Sequence, residues 1–400
     1  VGYMRIISDS MIHEFGDRLL NIHPSLLPLH AGKMDLAVHA DVIQNNEEFT
    51  GCTLHVVSKE VDNGRIVMQS QCRVHDYDTP IQLKRKVQEL EADCILNYVK
   101  IFSTFNIGYS LDVGEASKFV GGLRNMIPTI GGFCSINDGI GTSTDGVGSK
   151  MEIANKYNNY ENIGVDLVAM CVNDLLVCGV RPTLFLDYIA VDRMDTEKCK
   201  KVVDSIYRGC KIAKCMLVGG ETAEMRHIFF KDKMDISGFA VGTVVHKLPR
   251  MEEMDDKCVL YGLPSNGLHA NGFTLIHQLL KNNQYDVGEL LKPTKIYMEL
   301  LDLPVRCNVL GAAHITGGGF SNIARIIPPT LDYNITEQWE FPRVFKWVQE
   351  MSGLSREDML NTFNCGIGVV LVSTHIDDRL IKEFKLIKLG RLNVKLQNKC

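Results

Sequence analysis

The stretch from Gly139 to Lys150, GIGTSTDGVGSK, does most to limit what this chain can become. Its glycines let backbone N–H groups come close to an anion, and it ends on a cation, Lys150. Asp145 stands in the middle, where a bare phosphate would be repelled. A divalent cation between carboxylate and phosphate reconciles the two, because Mg2+ takes oxygen ligands from both. Gly141 and Gly146 have the gap of a Walker A loop, but Val147 and Gly148 stand where Lys and Ser/Thr should follow. No G-x-G-x-x-G can be placed here. A Gly/Ser/Thr turn leading into a helix explains the local pattern equally well. The stretches downstream favour the nucleotide reading.

At 400 residues the chain exceeds what one core holds, so two or three domains are expected. A net charge of −5, with no Lys/Arg stripe, gives no electrostatic case for nucleic acid, so anionic ligands must be held locally. Thirteen cysteines without C-x-x-C spacing argue against structural zinc or a disulfide framework. They suit buried thiols in a reducing, cytoplasmic compartment. No apolar run reaches membrane-spanning length. The opening Val1-Gly2-Tyr3-Met4-Arg5-Ile6-Ile7 reads as the middle of a strand, so sequence upstream is expected.

In the first hundred residues, LLNIHPSLL from Leu19 reads as a strand emptying into a Pro-bounded loop that presents Asn21 and His23. GCTLHVVSKEVDNGRIVMQ from Gly51 reads as two strands around a tight turn at Asp62-Asn63-Gly64. Thr79 caps a helix, with Pro80 first and Gln82 completing a capping box. Leu83, Val87, Leu90, Cys94 and Tyr98 mark its apolar face. Turn chemistry alone accounts for Asp62, and a solvent-facing strand position accounts for His55. Taken together, Asn21, His23, His55 and Asp62 suit acyl transfer to an amine. A carboxylate tunes an imidazole or takes the amine proton, while an amide and an imidazole hold the oxyanion.

The polar break STFNIGY, Ser103 to Tyr109, reads as a linker, which places domains at 1–104, 105–255 and 256–400. From Gly164, GVDLVAMCVNDLLVCGVRPTLFLDYIAV reads as an apolar helix, a break at Gly179 to Pro182, and a strand. Asp166, Asn173 and Asp174 can approach one point from that helix, such as the metal expected beside Asp145. Acids and an amide in so apolar a helix are costly unless paired. CMLVGGETAEM, from Cys215, sets Glu221 behind Gly219 and Gly220; a helix start with acids at its positive end accounts for Glu221 and Glu224 nearly as well. VLYGLPSNGLHANGFTLIHQLL reads as strand, loop, helix. HITGGGFSNIARIIP from His314 repeats the device, and FNCGIGVVLV from Phe363 is a further glycine-interrupted strand. Four anion-friendly loops are explained economically by two phosphorylated ligands sharing one cleft with metal.

Two resemblances rest on these motifs. LLNIHPSLLP, GCTLHVV and EVDNGRIVMQ resemble the formyltransferase family that uses 10-formyltetrahydrofolate to formylate glycinamide ribonucleotide (GAR). That resemblance implies a catalytic trio of Asn21, His23 and Asp62, with Met4, Arg5, Ile6 and Ile7 lining the folate pocket. The family's N-terminal half, with its loop for the ribonucleotide phosphate, is absent, so formyl transfer by residues 1–104 alone is not expected.

STDGVGSK, DLVAMCVNDLL, GGETAEM, GLPSNGLHANGF, PTKIYM, HITGGGF and FNCGIGV resemble the aminoimidazole ribonucleotide (AIR) synthetase family, from about Tyr109 to Val394. The implied fold class is α/β and α+β: a partial formyltransferase α/β domain, then the AIR-synthetase-like two-domain fold. In that fold the N domain pairs across a homodimer to close a β-barrel, an α/β C domain follows, and ATP with Mg2+ lies between them. By resemblance, Asp145, Asp166, Asp174 and Glu221 hold the metal. Asp145, Gly146, Gly148, Ser149, Asn173, Gly219, Gly220 and Glu221 hold ATP, and Lys150 neutralises phosphate charge. Ser265, Gly267, His269, Asn271 and Gly317, Gly318 and Gly319 grip the substrate's phosphate or ribose, and His314 carries a proton. The implied partners are small ribonucleotides, not nucleic acid or membrane. The implied reaction is ATP-dependent cyclisation of formylglycinamidine ribonucleotide to aminoimidazole ribonucleotide. The rivals are a selenide or thiamine-phosphate kinase of the same superfamily, and a degenerate ATP-binding scaffold. Arg226-His227-Ile228, standing where the family has Pro-Gly, keeps the scaffold in play.

Overall fold

The computed structural model describes residues 7–9, 11–12, 19–33, 35–105, 121–123, 126–127, 130–229 and 233–395, with backbone alone at 97 and 99–105. The chain falls into two compact units, Val1–Phe105 and Asn106–Cys400.

The first unit contains β1 (Leu20–His23), α1 (Leu36–Gln44), β2 (Phe49–Val56), β3 (Ile66–Arg73) and α2 (Pro80–Phe105). Its strands form one antiparallel sheet in the order β1-β2-β3. The capping box forms at the start of α2: the Gln82 side chain accepts from the Thr79 N–H at 2.9 Å, and the Thr79 hydroxyl accepts from the Gln82 N–H at 3.4 Å. Val87 and Cys94 of α2 pack on Cys52 and Leu54 of β2. The helix runs through Ser103 to Phe105, so no linker opens at Ser103, and 106–109 lie outside the described residues. The Asp62-Asn63-Gly64 turn is part of a longer connection, 57–65, rather than a tight hairpin. The ladder pairs Asn21 with His55 and His23 with Thr53. Directly opposed residues share a face, so the sheet itself sets the Asn21 amide beside the His55 ring.

The second unit opens with β4 (Ser135–Asn137), β5 (Ile140–Gly146), α3 (Lys150–Tyr157), α4 (Ile163–Val177), β6 (Val180–Val191), α5 (Thr196–Ile212), β7 (Met216–Glu224) and β8 (Met234–Val244). These strands form a sheet in the order β4-β5-β8-β6-β7. A second sheet, β10-β12-β9-β13-β11, is built from β9 (Val259–Pro264), β10 (Val309–His314), β11 (Leu331–Ile335), β12 (Ile367–Ser373) and β13 (Ile387–Val394), with α6 (Phe273–Asn282) after β9.

Three local expectations change. The Gly139–Lys150 stretch is mostly strand, with a turn at Gly139 before β5 and another at Gly148 and Ser149 before α3. Pro182 lies inside β6, where the ladder slips between Pro182 and Leu184; a bulge is where a strand tolerates a residue lacking an N–H. GGETAE continues as strand β7, so Glu221 and Glu224 do not begin a helix.

Helix α4 is apolar on every side, and of its residues only Asp174 escapes full burial. Its Leu167, Leu175 and Leu176 are wholly buried, each stabilising the unit by roughly 1.5–3 kcal/mol. Helix α5 covers it, burying Cys199, Val202, Ile206 and Cys210 at helical spacing. The two backbones touch at Gly164, where a Cβ would lie 2.2 Å from the Ile206 nitrogen. The sheet face away from α4 is different. There Ile140, Met216, Val218 and Phe239 are 45–63% exposed. Among the described residues, no helix is long and apolar enough to cross a membrane.

Candidate active sites

In the first unit, the loop after β2 swings Asp62 back toward the sheet, with Asp62 itself in the left-handed region at φ 56°. Its carboxylate lies 3.1 Å from His23 Nδ1 and 3.6 Å from His55 Nε2, and accepts the Gly32 N–H at 2.9 Å. His55 Nδ1 donates to the Val56 carbonyl at 3.0 Å. Its Nε2 is therefore free to accept from the Asn21 amide at 3.3 Å. His23 Nε2 faces the His30 carbonyl at 3.2 Å. Burial pushes the His23 imidazole below its ordinary value, against the Asp62 charge and the His30 carbonyl, which push it up. Asn21, His23 and Asp62 thus meet, with His55 as a fourth member. Of the expected folate-pocket residues, Met4, Arg5 and Ile6 lie outside the described residues, and Ile7 is half-buried.

In the second unit, three groups converge where β5, α4 and β10 end. His314 Nδ1 lies 2.9 Å from Asp174 Oδ1, and its Nε2 lies 3.4 Å from the Asn173 amide. The Asp145 carboxyl is pushed up to about 6, first by burial and then by the Asp174 charge. The Gly146 N–H, donating to it at 2.7 Å, and His314 pull the other way.

Asp166 stands elsewhere. Its carboxylate holds the buried Lys150 ammonium at 2.9 Å and accepts both the N–H and the hydroxyl of Thr294, at 2.8 and 2.6 Å. Burial drives the Asp166 carboxyl up and the Lys150 ammonium down, each opposed by the other's charge. Lys150 also donates to the Lys292 carbonyl at 2.7 Å. Its ammonium is wholly buried among protein partners.

Glu221 lies exposed on β7, at the far edge of the sheet, with its carboxylate accepting the Thr222 N–H at 2.8 Å. Three strand spacings separate β7 from β5, roughly 14 Å at ~4.8 Å each. The four expected metal ligands are therefore divided. Asp145 and Asp174 come together, Asp166 is taken by Lys150, and Glu221 is held away by the sheet. Among the described residues, no three His, Cys, Asp or Glu side chains form a metal cage.

Sequence reading misses Asp187. The ladders set Asp145, Gly238, Asp187 and Gly220 in one row, and burial pushes the Asp187 carboxyl up. A Cβ on Gly220 would lie 2.5 Å from Asp187 Oδ1, so only glycine fits beside it. The available signal was an acid within the apolar strand LFLDYIAV.

The loop after β9 is pinned from β12's approach. Asn364, which sequence reading also misses, accepts from the Ser265 hydroxyl at 2.9 Å and donates to the Gly267 and Leu268 carbonyls at 3.0 and 3.2 Å. His269 is 1% exposed, neither ring nitrogen has a partner among the described residues, and burial holds it well below its ordinary value. Asn271 reaches the Met170 sulfur at 4.0 Å. At the second loop, Asn322 donates to the carbonyls of Gly317 and Gly319 at 3.1 and 2.9 Å, while Gly318 and Gly319 adopt positive φ. At the turn after Gly148, the Ser149 backbone carbonyl accepts from His277 Nε2 at 2.8 Å.

Residues 1–99 match the formyl transferase family model, 132–244 the N-terminal domain of AIR synthase related proteins, and 256–389 their C-terminal domain. The phosphoribosylformylglycinamidine cyclo-ligase of Lawsonia intracellularis is 37% identical over 299 residues, covering 67% of this chain and 86% of that protein. The chain belongs to the phosphoribosylformylglycinamidine cyclo-ligase family.

The chloroplastic cyclo-ligase of Arabidopsis thaliana is 38% identical over 297 residues, covering 69% of this chain and 76% of its own. In this chain the cyclo-ligase sequence is joined to a formyl transferase segment. The human trifunctional purine biosynthetic protein adenosine-3 is 43% identical over 253 residues, 58% of this chain and 25% of that protein. The fold of the cyclo-ligase unit is shared with thiamine monophosphate kinase from Aquifex aeolicus. That structure has a TM-score of 0.50 at 16% identity and covers 71% of this chain and 96% of its own.

Proposed function

We propose that the second unit catalyses ATP-dependent cyclisation of formylglycinamidine ribonucleotide to aminoimidazole ribonucleotide. The amide oxygen of the formyl group is a poor leaving group. Transfer of the γ-phosphoryl of ATP to that oxygen makes it a good one. The amidine nitrogen then attacks the same carbon, the ring closes, and phosphate departs with the oxygen. Positioning and charge neutralisation supply most of the acceleration. His314, oriented by Asp174 at Nδ1, carries the proton released as the ring forms. The Ser265–Asn271 loop and Gly317 to Gly319 grip the sugar phosphate, and the turn Gly146 to Ser149 with Gly219 and Gly220 faces the nucleotide.

The Asp174 charge raises the proton affinity of Asp145, so these two carboxylates form a donor set that a hard dication would stabilise. Magnesium held by Asp145 and Asp174 would screen the charge of the triphosphate. The convergence of Asp145, Asp174 and His314 carries this reading. ATP-dependent turnover of formylglycinamidine ribonucleotide by the purified chain, with Asp145→Asn alongside, tests it; undiminished turnover in the variant refutes it.

In the first unit, the grouping of Asn21, His23 and Asp62 suits the chemistry of formyl transfer from 10-formyltetrahydrofolate to GAR, although residues 1–104 alone are not expected to carry it out. A formyl-transfer assay on the same chain tests that part. The bare apolar face of the β4-β5-β8-β6-β7 sheet supports a homodimer, and thirteen cysteines with no C-x-x-C pair support a cytoplasmic location.

A further inference from the structure

Segment 291–297 has no regular structure for most of its length, yet Thr294 and Tyr297 are almost completely buried. Buried backbone groups need partners, and here side chains from α3, α4 and the residue before α4 supply them. Asn162 donates to the Leu291 carbonyl at 3.4 Å, and Lys150 to the Lys292 carbonyl at 2.7 Å. Asp166 accepts from Thr294, as described. Asn173 donates to the Lys295 carbonyl at 2.8 Å and accepts the Tyr297 N–H at 3.0 Å. The opposite side of the segment holds the loop after β9. Asn266 donates to the Pro293 carbonyl at 2.8 Å, and the Tyr297 hydroxyl to the Pro264 carbonyl at 3.0 Å.

We infer that 291–297 is a strap setting the 264–271 loop relative to Asp174, and that Asp166 and Asn173 are positioning residues acting through Thr294 and Tyr297. Asp166 and Asn173 of α4, with Asn162 just before it, each bond main chain of the segment, while Asp174 alone of the helix keeps an edge toward solvent. This inference rests on reading the loop as the sugar-phosphate grip and Asp174 as the nucleotide end.

Thr294→Val keeps the shape of the side chain and removes one bond to the Asp166 carboxylate. Hydrogen exchange read by mass spectrometry should show faster exchange in 291–297 and in 264–272, with α4 unchanged. The substrate KM should rise about tenfold, the loss of one hydrogen bond to a charged group, while affinity for ATP with Mg2+ stays within about twofold on the same scale. Asn266→Ala, an exposed change on the far side of the strap, should produce the same exchange pattern. Unchanged exchange in 264–272 in both variants overturns the strap. So does a Thr294→Val enzyme whose only defect is a higher Mg2+ requirement. If the wild type turns over no substrate but both variants show the coupled exchange, the strap stands and the cyclo-ligase reading alone fails.

Discussion

His314 Nδ1 and Asp174 Oδ1 lie 2.9 Å apart, across the boundary between the buried helix α4 and the end of the second sheet's edge strand. The carboxylate fixes the tautomer: Nδ1 carries the proton toward Asp174, leaving Nε2 as the acceptor. Asp174→Asn should therefore lower kcat for cyclisation by about 10²–10⁴-fold, the usual worth of an oriented acid–base group. His314→Ala should give a similar loss, and the double variant little more, because the two act as one unit. Initial rates at saturating ATP check this; additive losses would count against it.

Asp145 gives a prediction of opposite signs for activity and stability. Its carboxyl is pushed up to about 6 in the folded chain, above the ordinary ~3.9 of the unfolded one. Such a group contributes stability below about pH 4 that is lost as pH rises through about 6. Asp145→Asn should thus be inactive, yet more resistant to heat at pH 7.5 by on the order of 1–3 kcal/mol. The gap should close at pH 4. Calorimetry at the two pH values, without nucleotide, decides it.

Removing the Lys150 ammonium leaves a buried carboxylate without its counter-charge. Lys150→Met should cost about 3–5 kcal/mol of stability. Lys150→Met combined with Asp166→Leu should recover part of that, since an apolar pair needs no counter-charge. Denaturant unfolding measures both; a double variant less stable than the single would contradict this account.

In the first unit, Asp62 is the strongest influence raising His23, set against burial. Asp62→Asn should move the His23 titration to lower pH. Histidine-selective NMR follows it, and an unmoved titration would show that the contact at 3.1 Å carries no charge coupling.

The exposed side chains of Val218 and Phe239 predict an assembly that a single charge can disrupt. Phe239→Lys or Val218→Glu should shift the chain from dimer to monomer in sedimentation velocity. A wild type that sediments as a monomer would remove the basis for the dimer.

Much of the fold could be read in the sequence, because periodicity and capping are local. Thr79 and Gln82 announced α2, and the unbroken apolar run from Ile163 announced a buried helix. The site was legible by residue type more than by grouping. Asp166 and Asn173 stand out in an apolar helix whichever ligand they serve, and sequence cannot say that the ligand is the main chain of residues well over a hundred positions away. Glu221 looked like a partner of Asp145 because both follow glycines. Strand order keeps them apart, and strand order is a long-range property. Asp187 was hidden for the same reason, since only the register aligns it with Asp145 and Gly220.

A helix without a watery side has nowhere for sequence to drift at no cost. Along α4, a substitution that loosens the packing also displaces the two carboxylates and the amide that ride on it. Variants there should forfeit phosphate chemistry and the native state together, so inherited changes in this segment would surface as missing protein rather than as a slow enzyme.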